Sequence, residues 1–197
     1  MIESRIRPCF DKFLVEPAVG VLRYRVTPDT MTLLSLLTGI GAAALISFDY
    51  RIAAVALLLF SGYLDILDGA LARFQNASSP AGTMLDILSD RMVESFIIIG
   101  FFIRQSELGL VSLLMLMSII MCVSSFLLVG IFTDKSGQKS FYYSDGLMER
   151  GEVFIVFITM MILPQINIYV GLLFTVLVLW TAIYRTWEFK KNLRVNS

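Results

Sequence analysis

Six long apolar segments limit how this chain can fold. Each is close to the roughly 20 residues that an α-helix needs to cross the hydrocarbon core of a bilayer, although the fifth is short. The segments are approximately 30–48, 52–74, 83–103, 108–132, 152–166 and 168–187. A hydrophobic content of 57% and a mean hydropathy of +0.78 are too apolar for a soluble domain of 197 residues. We predict an all-α integral membrane bundle of six transmembrane helices.

The segment before the first span mixes basic and apolar side chains. Its basic residues are Arg5, Arg7, Lys12, Arg23 and Arg25. The mixture is typical of an amphipathic juxtamembrane helix that lies on the membrane surface, and a disordered basic tail is the alternative. We predict a cytoplasmic surface helix over residues 1–27 and a six-helix transmembrane domain over 28–197.

The distribution of lysine and arginine predicts the orientation. With six spans, most basic residues fall in the N-terminal segment, the loop after the fourth span and the C-terminal end. The positive-inside rule places these segments in the cytoplasm. Both termini and the loop 74–81 are therefore expected on the cytoplasmic side of the cell membrane.

Four aspartates lie where a membrane helix is expected to carry none: Asp65, Asp68, Asp86 and Asp90. One ionised carboxylate near the bilayer centre costs about 2.5–3.5 kcal/mol on insertion scales, so a positive partner is expected among them. The first pair is three residues apart and the second is four apart, so each pair shares one helix face. The short loop 74–81 makes their two helices antiparallel neighbours. Two such pairs form an oxygen cage suited to divalent cations.

Composition restricts the chemistry further. The chain has no histidine, so a general base must be a carboxylate and a metal must be bound mostly by oxygen, which favours Mg²⁺ or Mn²⁺. The formal net charge is zero, which gives a nucleic-acid partner no electrostatic support.

Small residues and one arginine accompany the aspartates. Gly69, Ala72 and Gly82 leave room for a bulky ligand to approach the backbone, although small residues in membrane helices also serve close helix packing. The planar guanidinium of Arg73, at the cytoplasmic end of its helix, suits recognition of a phosphate.

The pattern D-x2-D-G-x2-A-R-x8-G-x3-D-x3-D, from Asp65 to Asp90, resembles the signature of the CDP-alcohol phosphotransferase family. The resemblance implies a membrane enzyme of phospholipid synthesis. Such an enzyme transfers a substituted phosphate from a CDP-linked donor, usually CDP-diacylglycerol, to a polar alcohol and releases CMP. It also implies a homodimer and a catalytic role for the transmembrane domain.

The resemblance assigns roles to the residues of the signature. Asp65, Asp68 and Asp86 are expected to bind metal, and Asp90 to help at a second metal ion and to deprotonate the acceptor hydroxyl. The expected CDP site consists of Asp65, Asp68, Gly69, Ala72, Arg73 and Gly82.

The acceptor is less constrained. The Asp90–Arg91 pair is similar to that of the phosphatidylinositol and inositol-phosphate branches, which favours inositol phosphate or inositol over glycerol 3-phosphate or serine. Arg91 either binds an anionic acceptor or neutralises Glu94 or Asp90, and Glu94 either contacts acceptor hydroxyls or pairs with Arg91. Glu152 stands where inositol-phosphate members usually carry a second arginine, which argues against a phosphorylated acceptor. The candidate acceptor-binding residues are Arg91, Glu94, Lys135, Lys139 and Arg150.

Two other functions fit parts of the pattern. A small cation transporter could use the carboxylates as its ion path, but it predicts polar residues beyond Glu94, where the third span is apolar. A catalytically inactive scaffold of the same family is disfavoured, because all four aspartates are present.

Overall fold

The protein folds into helices throughout the part of the chain that its computed structural model describes, which is residues 14–22, 24–135 and 150–195. The α-helices are α1 (Glu16–Leu22), α2 (Pro28–Ser47), α3 (Arg51–Phe74), α4 (Pro80–Arg104), α5 (Gly109–Lys135), α6 (Arg150–Ile162) and α7 (Asn167–Val195). Short 3-10 helices at Ser106–Leu108 and Pro164–Ile166 precede α5 and α7. No strand occurs within these described ranges, and the all-α prediction is confirmed.

Capping residues followed by proline begin the two helices that flank α3. Thr27 caps α2, and Pro28 occupies its first turn, where a missing N–H costs nothing. Ser79 and Pro80 do the same for α4, where the Ser79 hydroxyl accepts a hydrogen bond of 3.0 Å from the Gly82 amide. Ser79 and Pro80 therefore determine where the short loop between α3 and α4 ends and α4 begins.

Four helices, α2, α3, α5 and α7, are long and apolar enough to cross a membrane. Helix α4 has 25 residues, but it carries Asp86, Asp90, Arg91 and Glu94. Helix α6 has 13 residues, and its length of about 20 Å is shorter than a hydrocarbon core of about 30 Å. The number of six spans stays a prediction, because α4 is interrupted by charge and α6 is short.

The chain divides into two compact units, residues 1–106 and 107–197. In the first unit, α2 packs against both α3 and α4, and α1 packs on α3. In the second, α5 and α6 pack against α7. The predicted domain division at residue 27 stays a prediction.

One face of helix α1 packs on α3, and its predicted place on the membrane surface stays a prediction. Val15 and Val19 are buried against Leu67 and Leu71 of α3, while Glu16 is exposed to solvent. The Tyr63 hydroxyl donates a 2.9 Å hydrogen bond to the carbonyl of Leu14, just before α1. Residues 1–13 of the predicted surface helix lie outside the described residues.

An ion-pair cluster joins the α2–α3 turn to the end of α4. Asp49, which has a left-handed backbone conformation with φ of 64°, accepts from Nε of Arg51 at 2.8 Å and lies 2.6 Å from Nε of Arg104. The hydrogen bond from Arg51 lowers the pKa of the Asp49 carboxyl, and the charge of Arg104 acts in the same direction. These contacts fix the end of the first unit that lies away from the four aspartates.

The second unit is held by apolar packing and by one cation. The rings of Phe157 and Phe174 stack with centroids 5.9 Å apart. The guanidinium of Arg185 donates to the carbonyl of Cys122 at 3.2 Å and lies 5.5 Å from the centroid of the Phe126 ring. The charge of Arg185, on α7, is thus compensated by groups of α5.

Close packing between α2 and α4 depends on Gly100. A Cβ at this position would lie 2.7 Å from the carbonyl oxygen of Ala43, and a backbone atom cannot move aside as a side chain can. Small residues that let two backbones approach are a common basis of helix packing in membranes. Helix α2 can therefore lie close to α4 only while residue 100 has no side chain.

We expect Gly100→Ala to lower the unfolding temperature of the detergent-solubilised protein. Overpacking of this kind costs about 1–3 kcal/mol, which outweighs the gain of about 1 kcal/mol in helix propensity. Gly69→Ala is the control, because its Cβ would meet only Nη1 of Arg73, at 3.5 Å. A scan in which both variants unfold at the wild-type temperature or above would contradict this account of the α2–α4 contact.

Candidate active site

The four aspartates lie on two helices, Asp65 and Asp68 on α3 and Asp86 and Asp90 on α4. Both helices pack on α2, and they make at most marginal backbone contact with each other. Their acidic faces approach each other through side chains, since carboxylate oxygens of both helices lie close together.

Three of the four carboxylates converge, two from α3 and one from α4. One oxygen from each of Asp65, Asp68 and Asp86 lies within 4.8 Å of the other two. Asp68 is buried, and the other two are half-buried. Three oxygen ligands on two separate helices fit the coordination that Mg²⁺ and Mn²⁺ prefer. The chain can thus hold a divalent metal ion here, as the sequence predicts.

Asp90 is not part of this group of three. It follows Asp86 by one turn of α4, and its side chain is 16% exposed. Its Oδ2 lies 3.9 Å from Nη2 of Arg91. A role for Asp90 as a ligand to a second metal ion stays a prediction.

Arg91 is paired with Glu94. Its Nη1 lies 2.8 Å from Oε2 of Glu94, whose side chain is only 5% exposed. Of the two predicted uses of Arg91, neutralisation of Glu94 is the one that the geometry shows. A buried carboxylate needs such a partner, and removal of one member of a buried pair costs about 3–5 kcal/mol. An acceptor-binding role for either residue stays a prediction.

Space remains beside Gly69. A Cβ there would meet only the Arg73 guanidinium, at an ordinary contact distance of 3.5 Å. The exposed Arg73 therefore reaches back over the residue that follows Asp68. Ala72 is half-buried, and a Cβ on Gly82 would lie 3.3 Å from the Ser79 hydroxyl. Gly69 and Arg73 together offer room and positive charge next to the carboxylates.

A groove of about 500 Å³ lies between α1 and α3, with Arg73 as part of its lining. Its lining is apolar apart from two charged residues. The lining residues are Val15, Glu16, Val19, Gly20, Ala70, Arg73 and Phe74. Arg73 thus borders an apolar groove as well as the space beside Gly69.

Thr32 belongs to the site, although its sequence context did not indicate this. Its hydroxyl donates a hydrogen bond of 2.6 Å to Oδ2 of Asp68. Thr32 lies in an apolar helix, where a threonine usually bonds to its own backbone. The only sequence signal is its position one turn after Pro28, which places it at the same end of α2 as the loop between α3 and α4.

The remaining acceptor-binding candidates cannot be placed at the site. Lys139 lies outside the described residues. Lys135 ends α5 and Arg150 begins α6, and their side chains are also outside the described part. Their predicted roles stay predictions.

Comparison with known proteins decides the family. The family model of the CDP-alcohol phosphatidyltransferases matches residues 25–187. The chain belongs to this family. The predicted resemblance is confirmed, and this phosphatidyltransferase is an enzyme that transfers substituted phosphate groups.

Relatives of the phosphatidyltransferase cover almost its whole length. The inner membrane protein YnjF of Escherichia coli is 30% identical over 95% of this chain and 92% of that protein. The archaetidylinositol phosphate synthase of Pyrococcus horikoshii is 28% identical over 98% of each chain. Together with its four long apolar helices, these likenesses identify the phosphatidyltransferase as an integral membrane protein.

Solved structures share the fold. A crystal structure of Mycobacterium tuberculosis phosphatidylinositol phosphate synthase with CDP-DAG bound superposes with a TM-score of 0.71 at 23% identity, covering 90% of this chain and 94% of that one. The same synthase in complex with manganese and citrate gives a TM-score of 0.69, covering 89% and 88%.

Proposed function

We propose that this phosphatidyltransferase moves a phosphatidyl group from CDP-diacylglycerol, or a related CDP-lipid, to inositol phosphate with release of CMP. The observation that carries the proposal is the convergence of the Asp65, Asp68 and Asp86 carboxylates from two helices of an integral membrane protein. Family membership supplies the class of reaction, because a CDP-linked alcohol is its common donor.

A divalent ion, Mg²⁺ or Mn²⁺, would be bound by Asp65, Asp68 and Asp86. When bound, it would neutralise charge on the donor diphosphate and on the departing CMP. The manganese complex of the mycobacterial synthase supports this choice of metal. A second ion near Asp90 belongs to the same proposal.

The side chains around the carboxylates would bind and orient the donor. Arg73 would contact the diphosphate, because a guanidinium fork matches phosphate oxygens in geometry and charge. Gly69, Ala72 and Gly82 would leave room for the nucleotide. The apolar groove between α1 and α3 borders Arg73 and would accept part of the diacylglycerol.

Asp90 would act as the general base. It lies one turn of α4 beyond Asp86, and a carboxylate is the base that a chain without histidine offers. The acceptor hydroxyl oxygen would attack the lipid-bearing phosphorus as Asp90 takes the proton. The bond from that phosphorus to the bridging oxygen would break, and CMP would leave with its electron pair.

An inositol phosphate acceptor is supported by the relatives and by charge. Relatives over most of the chain are archaetidylinositol phosphate and phosphatidylinositol phosphate synthases. The basic candidates Lys135, Lys139 and Arg150 suit an anionic acceptor. Glu152, in place of the family's second arginine, is the one feature that argues against a phosphorylated acceptor, and the assay below compares inositol phosphate with inositol directly.

The proposal includes the setting of the enzyme. Six membrane spans agree with the distribution of basic residues, with both termini and the carboxylates of Asp65, Asp68 and Asp86 on the cytoplasmic side. A homodimer follows from the family resemblance. A cation-transport function is not favoured, because α4 continues beyond Glu94 with the fully buried apolar residues Ile97, Ile98 and Phe101.

The assay that tests the function measures CMP release by the purified protein with CDP-diacylglycerol and Mn²⁺ or Mg²⁺. Inositol phosphate, inositol, glycerol 3-phosphate and serine are supplied separately. We expect CMP release with inositol phosphate to exceed CMP release with any of the other three acceptors by at least about tenfold. A difference of about 1.4 kcal/mol in binding free energy between two acceptors produces a tenfold preference. A preference for another alcohol would overturn the acceptor, and no release with any of them would overturn the donor.

A further inference from the structure

Thr32 is a hydroxyl residue that the family signature does not include, yet it contacts a carboxylate of the acidic group. We infer that Thr32 is a positioning residue, which acts through Asp68 to hold the metal site in its binding geometry. The inference rests on the proposed function, because it assumes that Asp68 is a metal ligand.

The contact between the two residues is short and excluded from solvent. Thr32 is 4% exposed and Asp68 is 6% exposed, and their oxygens are 2.6 Å apart. The hydroxyl carries one hydrogen, and its other acceptor, the carbonyl of Pro28, is farther away at 3.2 Å. A hydroxyl-to-carboxylate bond of this length is in the strong, charge-assisted range. The hydrogen is therefore directed to Asp68.

Contacts along α2 fix the position of Thr32 relative to Asp68. One turn further along, Ser35 and Ser61 exchange hydrogen bonds with each other's carbonyls, at 2.9 Å and 2.7 Å. Gly39 then lies against Ser61 and Val93, where a Cβ would be only 2.5 Å from a methyl group of Val93. These contacts join α2 to α3 and α4, so Thr32 approaches Asp68 from a rigid element.

The bond fixes the rotation of the Asp68 carboxylate before a metal arrives. Oδ2 is held by Thr32, which sets the direction of Oδ1 and the basicity of both oxygens. Without the hydroxyl, the carboxylate loses one of the hydrogen bonds that orient it before metal binding. Loss of such outer partners weakens metal affinity by about 10–100-fold in well-studied sites.

The experiment titrates the purified full-length protein with Mn²⁺ and measures free Mn²⁺ by electron paramagnetic resonance, without donor lipid. Thr32→Val keeps the side-chain shape and removes the hydroxyl, and Thr32→Ser keeps the hydroxyl. Thr38→Val is the matched control, because Thr38 lies on the same helix and its hydroxyl bonds only to the α2 carbonyls of Leu34 and Ser35. Unfolding temperatures without metal are measured for all variants.

We expect Thr32→Val to weaken Mn²⁺ binding by about tenfold or more, and Thr32→Ser and Thr38→Val to stay within about threefold of the wild type. An unchanged Mn²⁺ affinity in Thr32→Val would overturn the inference, as would equal losses in Thr32→Val and Thr38→Val or in Thr32→Val and Thr32→Ser. A wild-type protein that binds no Mn²⁺ would instead overturn the proposed metal site. A changed unfolding temperature with unchanged affinity would leave Thr32 a purely structural role.

Discussion

Asp90→Asn is expected to lower turnover by about 10³-fold or more while the affinity for CDP-diacylglycerol changes by less than about threefold. The amide has nearly the shape of the carboxylate but cannot accept the proton of the acceptor hydroxyl. General-base catalysis contributes about 10²–10⁴-fold in rate, and the chain has no histidine that could take over. Asp90 also lies outside the group of three carboxylates, so its substitution leaves that group intact.

The measurement pairs single-turnover CMP release with a titration of CDP-diacylglycerol in the presence of Mn²⁺. Asp86→Asn is the matched comparison, because it makes the same chemical change one turn away in a carboxylate of the group of three. We expect that variant to lose Mn²⁺ affinity and donor binding as well as turnover. If Asp90→Asn loses donor affinity as severely as it loses turnover, the assignment of Asp90 as the base is overturned.

The helices and the acidic group follow from local sequence, because both depend on short-range rules. Pro28 and Pro80 begin helices, as proline commonly does after a capping hydroxyl. The spacing of Asp65 and Asp68 places both carboxylates on one face of α3 whatever surrounds the helix. The number of spans does not follow from local sequence alone, since the charges of α4 and the 13 residues of α6 depart from the pattern of a membrane helix.

Short-range rules cannot predict the contacts that position the site, because these contacts join residues far apart in the chain. Thr32 and Asp68 are 36 residues apart, and Tyr63 and Leu14 are 49 apart. The packing of α2 on both α3 and α4 likewise joins residues that are distant in the chain. Arg91 is an example, since the sequence allowed it to neutralise either Glu94 or Asp90, and the structure shows the close pairing with Glu94.

Gly69→Leu is expected to weaken CDP-diacylglycerol binding by about 100-fold or more while leaving the protein as stable as the wild type. Two glycines of the first unit contrast here. A Cβ at Gly100 would lie 2.7 Å from the backbone of Ala43, whereas a Cβ at Gly69 would meet only the Arg73 guanidinium, at 3.5 Å. The first atom of a side chain at Gly69 therefore meets no packed atom, and a residue other than glycine gains about 1 kcal/mol in helix propensity there.

The added leucine would occupy the space proposed for the nucleotide and displace the Arg73 guanidinium from above it. Both effects act on the donor, and loss of one charge-assisted contact alone costs about 1.5–3 kcal/mol. Ala56→Leu, on an exposed face of the same helix, is the control for added bulk, and Gly69→Ala tests the effect of a single methyl group. Donor affinity and unfolding temperature are measured for all three. Wild-type donor affinity in Gly69→Leu would show that the nucleotide does not lie beside this glycine, because a bound nucleotide and a leucine side chain cannot share one space.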